Sequence, residues 1–63
     1  MPLSGKKVVA LLVKNGWKIV SQKGSHVKLC MGARLVIVPV HGNRDLGRGL
    51  LRVIEKQTGL KLK

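Results

Sequence analysis

The sequence has no phenylalanine or tyrosine and only one tryptophan, Trp17. Any core must therefore be built almost wholly from aliphatic side chains. A chain of 63 residues buries about 60% of the surface its unfolded form exposes, so the core is expected to be thin and a large ligand cavity absent. The lone cysteine, Cys30, excludes an intramolecular disulfide and lacks the second sulfur of a CxxC motif or zinc knuckle. It reads as a small packed hydrophobe rather than a reactive thiol. Two histidines and two acids add no ligand spacing to it, so neither a metal nor a small-molecule cofactor is expected. No apolar run approaches the ~18 residues of a membrane span, and no signal-peptide pattern opens the chain. These absences predict a cytoplasmic protein that does not engage a membrane. Linkers, repeats and low-complexity stretches are also missing, which predicts one domain over residues 1–63.

Acids are the scarcest charged residues: two, against thirteen Lys and Arg, for a formal charge of +11. Such an excess destabilises a compact state by self-repulsion and calls for a polyanionic partner. Nucleic acid is the first candidate, because the basic residues are spread over several segments rather than gathered in a tail. An acidic protein is the second, and the two are compatible.

What is present reads as five elements. Ser4 can cap a helix over about residues 5 to 15, with Val8, Val9, Leu11, Leu12 and Val13 forming one broad apolar face and Gly16 taking the left-handed position beyond it. Trp17 to Gln22 reads as a strand, Lys23-Gly24-Ser25 as a turn, and His26 to Met31 as a second strand. Gly32-Ala33 suits a two-residue hairpin turn with glycine first, and Arg34 to Val38 is a third strand stopped by Pro39. Asn43 or Asp45 can cap a second helix from Leu46 to Thr58, with Leu46, Leu50, Leu51 and Ile54 buried. Arg44, Arg48, Arg52 and Lys56 recur every four residues as a solvent-facing basic ridge for RNA or an acidic partner. Gly47 and Gly49 weaken its first turn by about 1 kcal/mol each relative to alanine. Leu60 to Lys63 reads as a short tail.

Loop lengths set an expected register: Met31 opposite Arg34, His26 opposite Pro39, Gln22 opposite His26, Lys18 opposite Cys30. Alternation then assigns Trp17, Ile19, Ser21, Val27, Leu29, Met31, Val36 and Val38 to the core face. Lys18, Val20, Gln22, His26, Lys28, Cys30, Leu35, Ile37 and Pro39 fall on the opposite face. Trp17 is expected in the core because its alternation partners are apolar. The resulting class is α+β, in the α-β-β-β-α order of small double-stranded-RNA-binding domains, with a three-stranded antiparallel sheet and both helices on one face.

Gly24-Ser25-His26, then Val38-Pro39-Val40-His41-Gly42-Asn43 after the hairpin, with a helix ending at Gly16-Trp17 before them, resembles the HicA-type toxins. These are mRNA interferases of bacterial and archaeal toxin–antitoxin pairs, and the likeness covers about residues 4 to 60. It implies a double-stranded-RNA-binding-like fold, metal-independent RNA cleavage, and neutralisation by an acidic antitoxin of the HicB type. The essential histidine of that family corresponds to His26.

RNA carries its own nucleophile, the 2′-hydroxyl. Cleavage needs a base for that proton, charge stabilisation at phosphorus, and a proton for the leaving 5′-oxygen. A histidine can take the first or third task, which makes His26 the candidate general base or acid. Lys23 and Lys28 flank it as candidate phosphate contacts. Gly24 offers close passage to an RNA backbone, and Ser25 offers a donor. His41 is a possible second catalytic histidine, expected diagonal to His26 at about 7–8 Å, or else a residue that shapes its own turn. A non-catalytic RNA-binding module, ribosome-associated for example, and a basic protein-binding adaptor explain the charge without chemistry. Exposed Val20, Leu35, Ile37 and Pro39 beside His26 suggest that an acidic partner or a second copy covers this face.

Overall fold

Helix α1 spans Gly5–Lys14 in the computed structural model, which describes residues 3–42 and 44–62. Ser4 caps it as expected: its Oγ accepts the N–H of Lys7 at 3.3 Å, satisfying one of the free donors of the first turn. At the far end the chain turns through Gly16 (φ 97°). The N–H of Gly16 then donates to the Val13 carbonyl at 3.2 Å and that of Trp17 to the Leu12 carbonyl at 2.9 Å. This paired bonding closes a helix end, and its usual apolar contact is supplied by Leu12 and Trp17, both buried. Val8 and Leu12 are fully buried, whereas Val13 faces solvent, so the apolar face is narrower than its pattern suggests.

Strands β1 (Lys18–Lys23), β2 (His26–Met31) and β3 (Arg34–Pro39) form an antiparallel sheet in the order β1-β2-β3, followed by helix α2 (Arg48–Thr58). The chain is thus α+β, with the expected α-β-β-β-α order. The β2–β3 register agrees with loop counting, with Met31 opposite Arg34 and His26 opposite Pro39. β3 ends at Pro39, one residue later than expected, and one further backbone bond follows it, the Val40 N–H donating to the Ser25 carbonyl.

The β1–β2 register departs from expectation. Gly24, at φ 58°, and Ser25 make a two-residue turn rather than a three-residue one, so Lys23 faces His26 and Gln22 faces Val27. A bulge between Ile19 and Ser21 takes up the odd residue and restores the expected Lys18–Cys30 pair. Between bulge and turn every side chain is exchanged between faces. Ser21 and Lys23 join the His26 face, and Gln22 leaves it.

Val27, Leu29, Val36 and Val38 alternate inward and pack with Val8, Leu12, Trp17 and Ile54 in the core. Burying each such side chain contributes about 1.5–3 kcal/mol before entropy is counted. α2 leans over β3, and α1 touches both β3 and β1. The β1 strand itself stays uncovered: all six residues are exposed, Ile19 at 53%, and Met31 is also exposed, so Ile19, Ser21 and Met31 are not core residues.

Two further corrections concern the C-terminal third. α2 begins at Arg48, with Gly47 as its N-cap and no side-chain cap. Asp45 does not cap it, because the backbone there is extended and committed elsewhere: Asp45 bridges Ser4, and the Leu46 N–H donates to the Leu3 carbonyl at 2.7 Å. The alternative cap, Asn43, lies outside the described residues. Gly47 accordingly carries no helix-interior penalty. Nor are residues 60–62 a loose tail. Leu62 is buried, its N–H donates to Glu55 Oε2 at 2.8 Å, and the Leu60 N–H donates to Thr58 Oγ1.

Candidate active site

His26 opens β2 directly after the Gly24-Ser25 turn, exposed on the sheet face away from the helices. Three cross-strand rows build this face: Lys23, His26 and Pro39; then Ser21, Lys28 and Ile37; then Lys18, Cys30 and Leu35. The basic side chains stand on β1 and β2, and the apolar ones form a column on β3. Leu35 and Ile37 are 58% and 50% exposed, and Val20, at the bulge, is 55% exposed. Cys30 is half-buried within the third row and is not part of the packed core.

The length of the first hairpin turn decides which charges stand beside His26. Counting residues assigns Gln22 as its neighbour, whereas the two-residue turn sets Lys23 directly across from it. Directly opposed residues on one sheet face have Cβ atoms about 4.5–5.5 Å apart, within reach of a shared phosphate. Lys28, two residues along β2, lies on the same face. Gly24 has nothing within 4 Å of where a side chain would begin, so the turn presents bare backbone. Ser25 is half-buried, and its carbonyl is occupied by the Val40 N–H.

His41 also arrives at this end of the sheet. Its ring centroid lies 6.4 Å from that of His26, with the ring planes at 81°. Its backbone is held on both sides, by the Val40–Ser25 bond before it and by the Arg44 N–H, which donates to the His41 carbonyl at 3.0 Å. Behind the strand end sits a contact that residue patterns do not show. A side chain at Gly5 would overlap the Pro39 carbonyl oxygen, so the start of α1 packs backbone to backbone against Pro39 and Val40. The available signal was a glycine in the first helical position, where helix propensity favours almost any other residue.

The basic ridge is shorter than its four-residue spacing implies. Arg48, Arg52 and Lys56 are exposed on α2, but Arg44 precedes the helix and belongs to the turn that closes on His41. The ridge and the His26 face are thus separate basic surfaces, with Arg44 associated with the second.

Residues 5–60 match the family model described as the HicA toxin of bacterial toxin–antitoxin systems. The chain is also 38% identical, over 50 residues, to a Pseudomonas fluorescens (strain Pf0-1) protein named "Probable mRNA interferase HicA". That alignment covers 79% of this chain and 83% of the relative.

Proposed function

The chain belongs to the HicA toxin family, and from that membership we propose that it is an endoribonuclease toxin that cleaves mRNA with His26 as general base or acid. The observation that supports this most directly is the exposed His26 lying across from Lys23 on an open, basic sheet face. In this reading the RNA 2′-hydroxyl attacks the adjacent phosphorus. Lys23 and Lys28 offset the charge that builds on the phosphate oxygens. Gly24 lets the RNA backbone pass close, and the Ser25 hydroxyl donates to a phosphate oxygen. The products are a 2′,3′-cyclic phosphate and a 5′-hydroxyl. RNA supplies the nucleophile, so the reaction needs no metal. The ridge of Arg48, Arg52 and Lys56, with Arg44, holds the phosphate backbone and contributes affinity rather than sequence choice. Residues 1–63 act as one domain, in the cytoplasm where mRNA is available; no helix among the described residues is long and apolar enough to cross a membrane.

The test is incubation of the pure protein with a long RNA in EDTA, wild type against His26→Ala. Cleavage that disappears with His26 is the expected result. Wild-type cleavage by His26→Ala ends the assignment, and salt-sensitive binding without cleavage by either protein selects a non-catalytic RNA-binding module.

An acidic antitoxin of the HicB type is the proposed regulator. Its surface covers Val20, Leu35 and Ile37, hides His26 and matches the lysines around it. A substitution such as Ile37→Asp, on an exposed side chain, should weaken that complex while leaving the fold intact. A complex that still cleaves RNA fully while bound counts against occlusion.

A further inference from the structure

We infer that His41 is the second proton-transferring group of the site, so that RNA cleavage is run by a His26–His41 pair, one ring acting as base and the other as acid. The inference rests on the ribonuclease reading above and completes it, because His26 alone leaves one of the two proton transfers without a residue.

Geometry carries the argument. The two rings are 6.4 Å apart between centroids and nearly perpendicular. Among the described residues neither imidazole has a hydrogen-bond partner, and they do not bond to each other. Both are exposed. In an in-line displacement the attacking and leaving oxygens lie on opposite sides of phosphorus, so base and acid must approach one group from two directions, each within about 2.6–3.2 Å of its oxygen. Two exposed imidazoles with ring centroids 6.4 Å apart on one end of the sheet are close enough for both to serve one phosphate group. A histidine that merely shaped its own turn would direct its ring to a backbone carbonyl, and among the described residues none accepts from His41.

The position of His41 is also built into the fold. The ladder continues past Pro39 through the Val40–Ser25 bond, so the segment carrying His41 is tied to the turn that carries His26. Gly42, at φ 58°, and the Arg44-to-His41 bond close the other side. Gly5 backs the same strand end. The charged groups around the pair are Lys23 from β1, Lys28 from β2 and Arg44 from the turn. β3 contributes only Ile37 and Pro39 here, and α1, packed at this strand end through Gly5, carries the exposed Lys6 and Lys7 in its first turn. Of the two acids, Asp45 pairs its backbone with Ser4, and Glu55 accepts from Leu62 on α2.

The step balances without a co-reactant. One neutral imidazole takes the 2′-hydroxyl proton as the 2′-oxygen bonds to phosphorus. The bond from phosphorus to the 5′-oxygen breaks, and the imidazolium partner gives its proton to that oxygen. The pair ends with protonation states exchanged, and water resets them after the products leave.

His41→Gln is the test variant, because it keeps a polar side chain in the turn; the emission of Trp17 and the melting temperature check its fold. Rates are measured on an RNA cut by the wild type and on the same RNA with sulfur replacing the 5′-oxygen at the mapped cleavage site, a leaving group that departs without a proton. General acid–base groups contribute about 10²–10⁴-fold. A loss of at least 10²-fold on RNA that largely disappears on the sulfur substrate makes His41 the acid. A similar loss on both substrates, together with loss of one limb of the bell-shaped pH–rate profile, makes it the base. Wild-type rates on both substrates, or an equal loss with both limbs intact, overturn the inference. His26→Ala is run in parallel: if it is inactive while His41→Gln is fully active, only the pairing fails, and if it is fully active the ribonuclease assignment fails with it.

Discussion

Replacing Gly5 with alanine tests whether α1 is held against the Pro39 end of β3 by backbone contact. The added methyl would overlap the Pro39 carbonyl oxygen and lie 3.0 Å from Val40 Cα, and both of these are main-chain atoms. No rotamer change relieves that overlap, so α1 must retreat or the Pro39–Val40 segment must move. Overpacking of this kind costs about 1–3 kcal/mol. Alanine returns at most about 1 kcal/mol of helix propensity, and less in the first turn, where Gly5 sits. The expected net loss is about 1–2 kcal/mol, and each kcal/mol lowers the melting temperature of a domain this size by about 4–8 °C. Gly49→Ala is the matched control. It also lies in a first helical turn, but has nothing within 4 Å of the new methyl, so it should gain stability by up to about 0.5–1 kcal/mol, the full mid-helix value being the ceiling. Both changes are read by thermal or urea unfolding followed through Trp17, which is 1% exposed in the core. A Gly5→Ala protein as stable as the wild type, or a Gly49→Ala protein that is less stable, refutes the contact. Because Val40 anchors the His41 segment, Gly5→Ala should also lower RNA cleavage well below its own melting temperature.

The bulged register predicts that Lys23→Gln lowers RNA cleavage by about 10–100-fold, the loss of a hydrogen bond to a charged group worth about 1.5–3 kcal/mol, while Gln22→Ala changes it little. The reverse order in a cleavage time course would restore the unbulged register. Leu62→Ala should destabilise by about 2–4 kcal/mol, as for other buried leucines, a loss visible as a lower urea midpoint; a true tail would show none. Removing Arg48, Arg52 and Lys56 together in a His26→Ala background should weaken RNA binding and lower the salt slope of log K by up to about 2, at ~0.7 per phosphate contact on a single strand. Fluorescence anisotropy across a salt series checks this, with unfolding midpoints expected to stay within about 0.5 kcal/mol of the parent.

The element types were legible because each rests on local chemistry. Ser4 caps, Gly16 and Gly59 terminate helices, Gly32-Ala33 closes a hairpin, and Val27, Leu29, Val36 and Val38 alternate. The errors lie where distant segments compete for the same backbone. α2 starts late because Asp45 and Leu46 bond to residues 3 and 4. Residues 60–62 are docked because Glu55 accepts from Leu62. Residues 3 and 4 lie some forty positions from Asp45 and Leu46, beyond any local window, whereas Glu55 is seven residues from Leu62 and its acceptance depends on how the chain folds back after Gly59.

At the site the division is the same. Sequence alone determined that the chain is strongly basic, that His26 opens an outward-facing strand position, and that an apolar column runs beside it, since charge, turn residues and period-two alternation are local properties. Tertiary structure decided which side chains stand next to that histidine. The two-residue first turn, its odd residue taken up by a bulge in β1, sets Lys23 across from it and Gln22 away, and one additional ladder bond past Pro39, backed by the bare Cα of Gly5, brings His41 to within 6.4 Å. A bulge and a backbone-to-backbone contact are settled by how strands and helices fit together in space, and spacing along the chain does not record that fit.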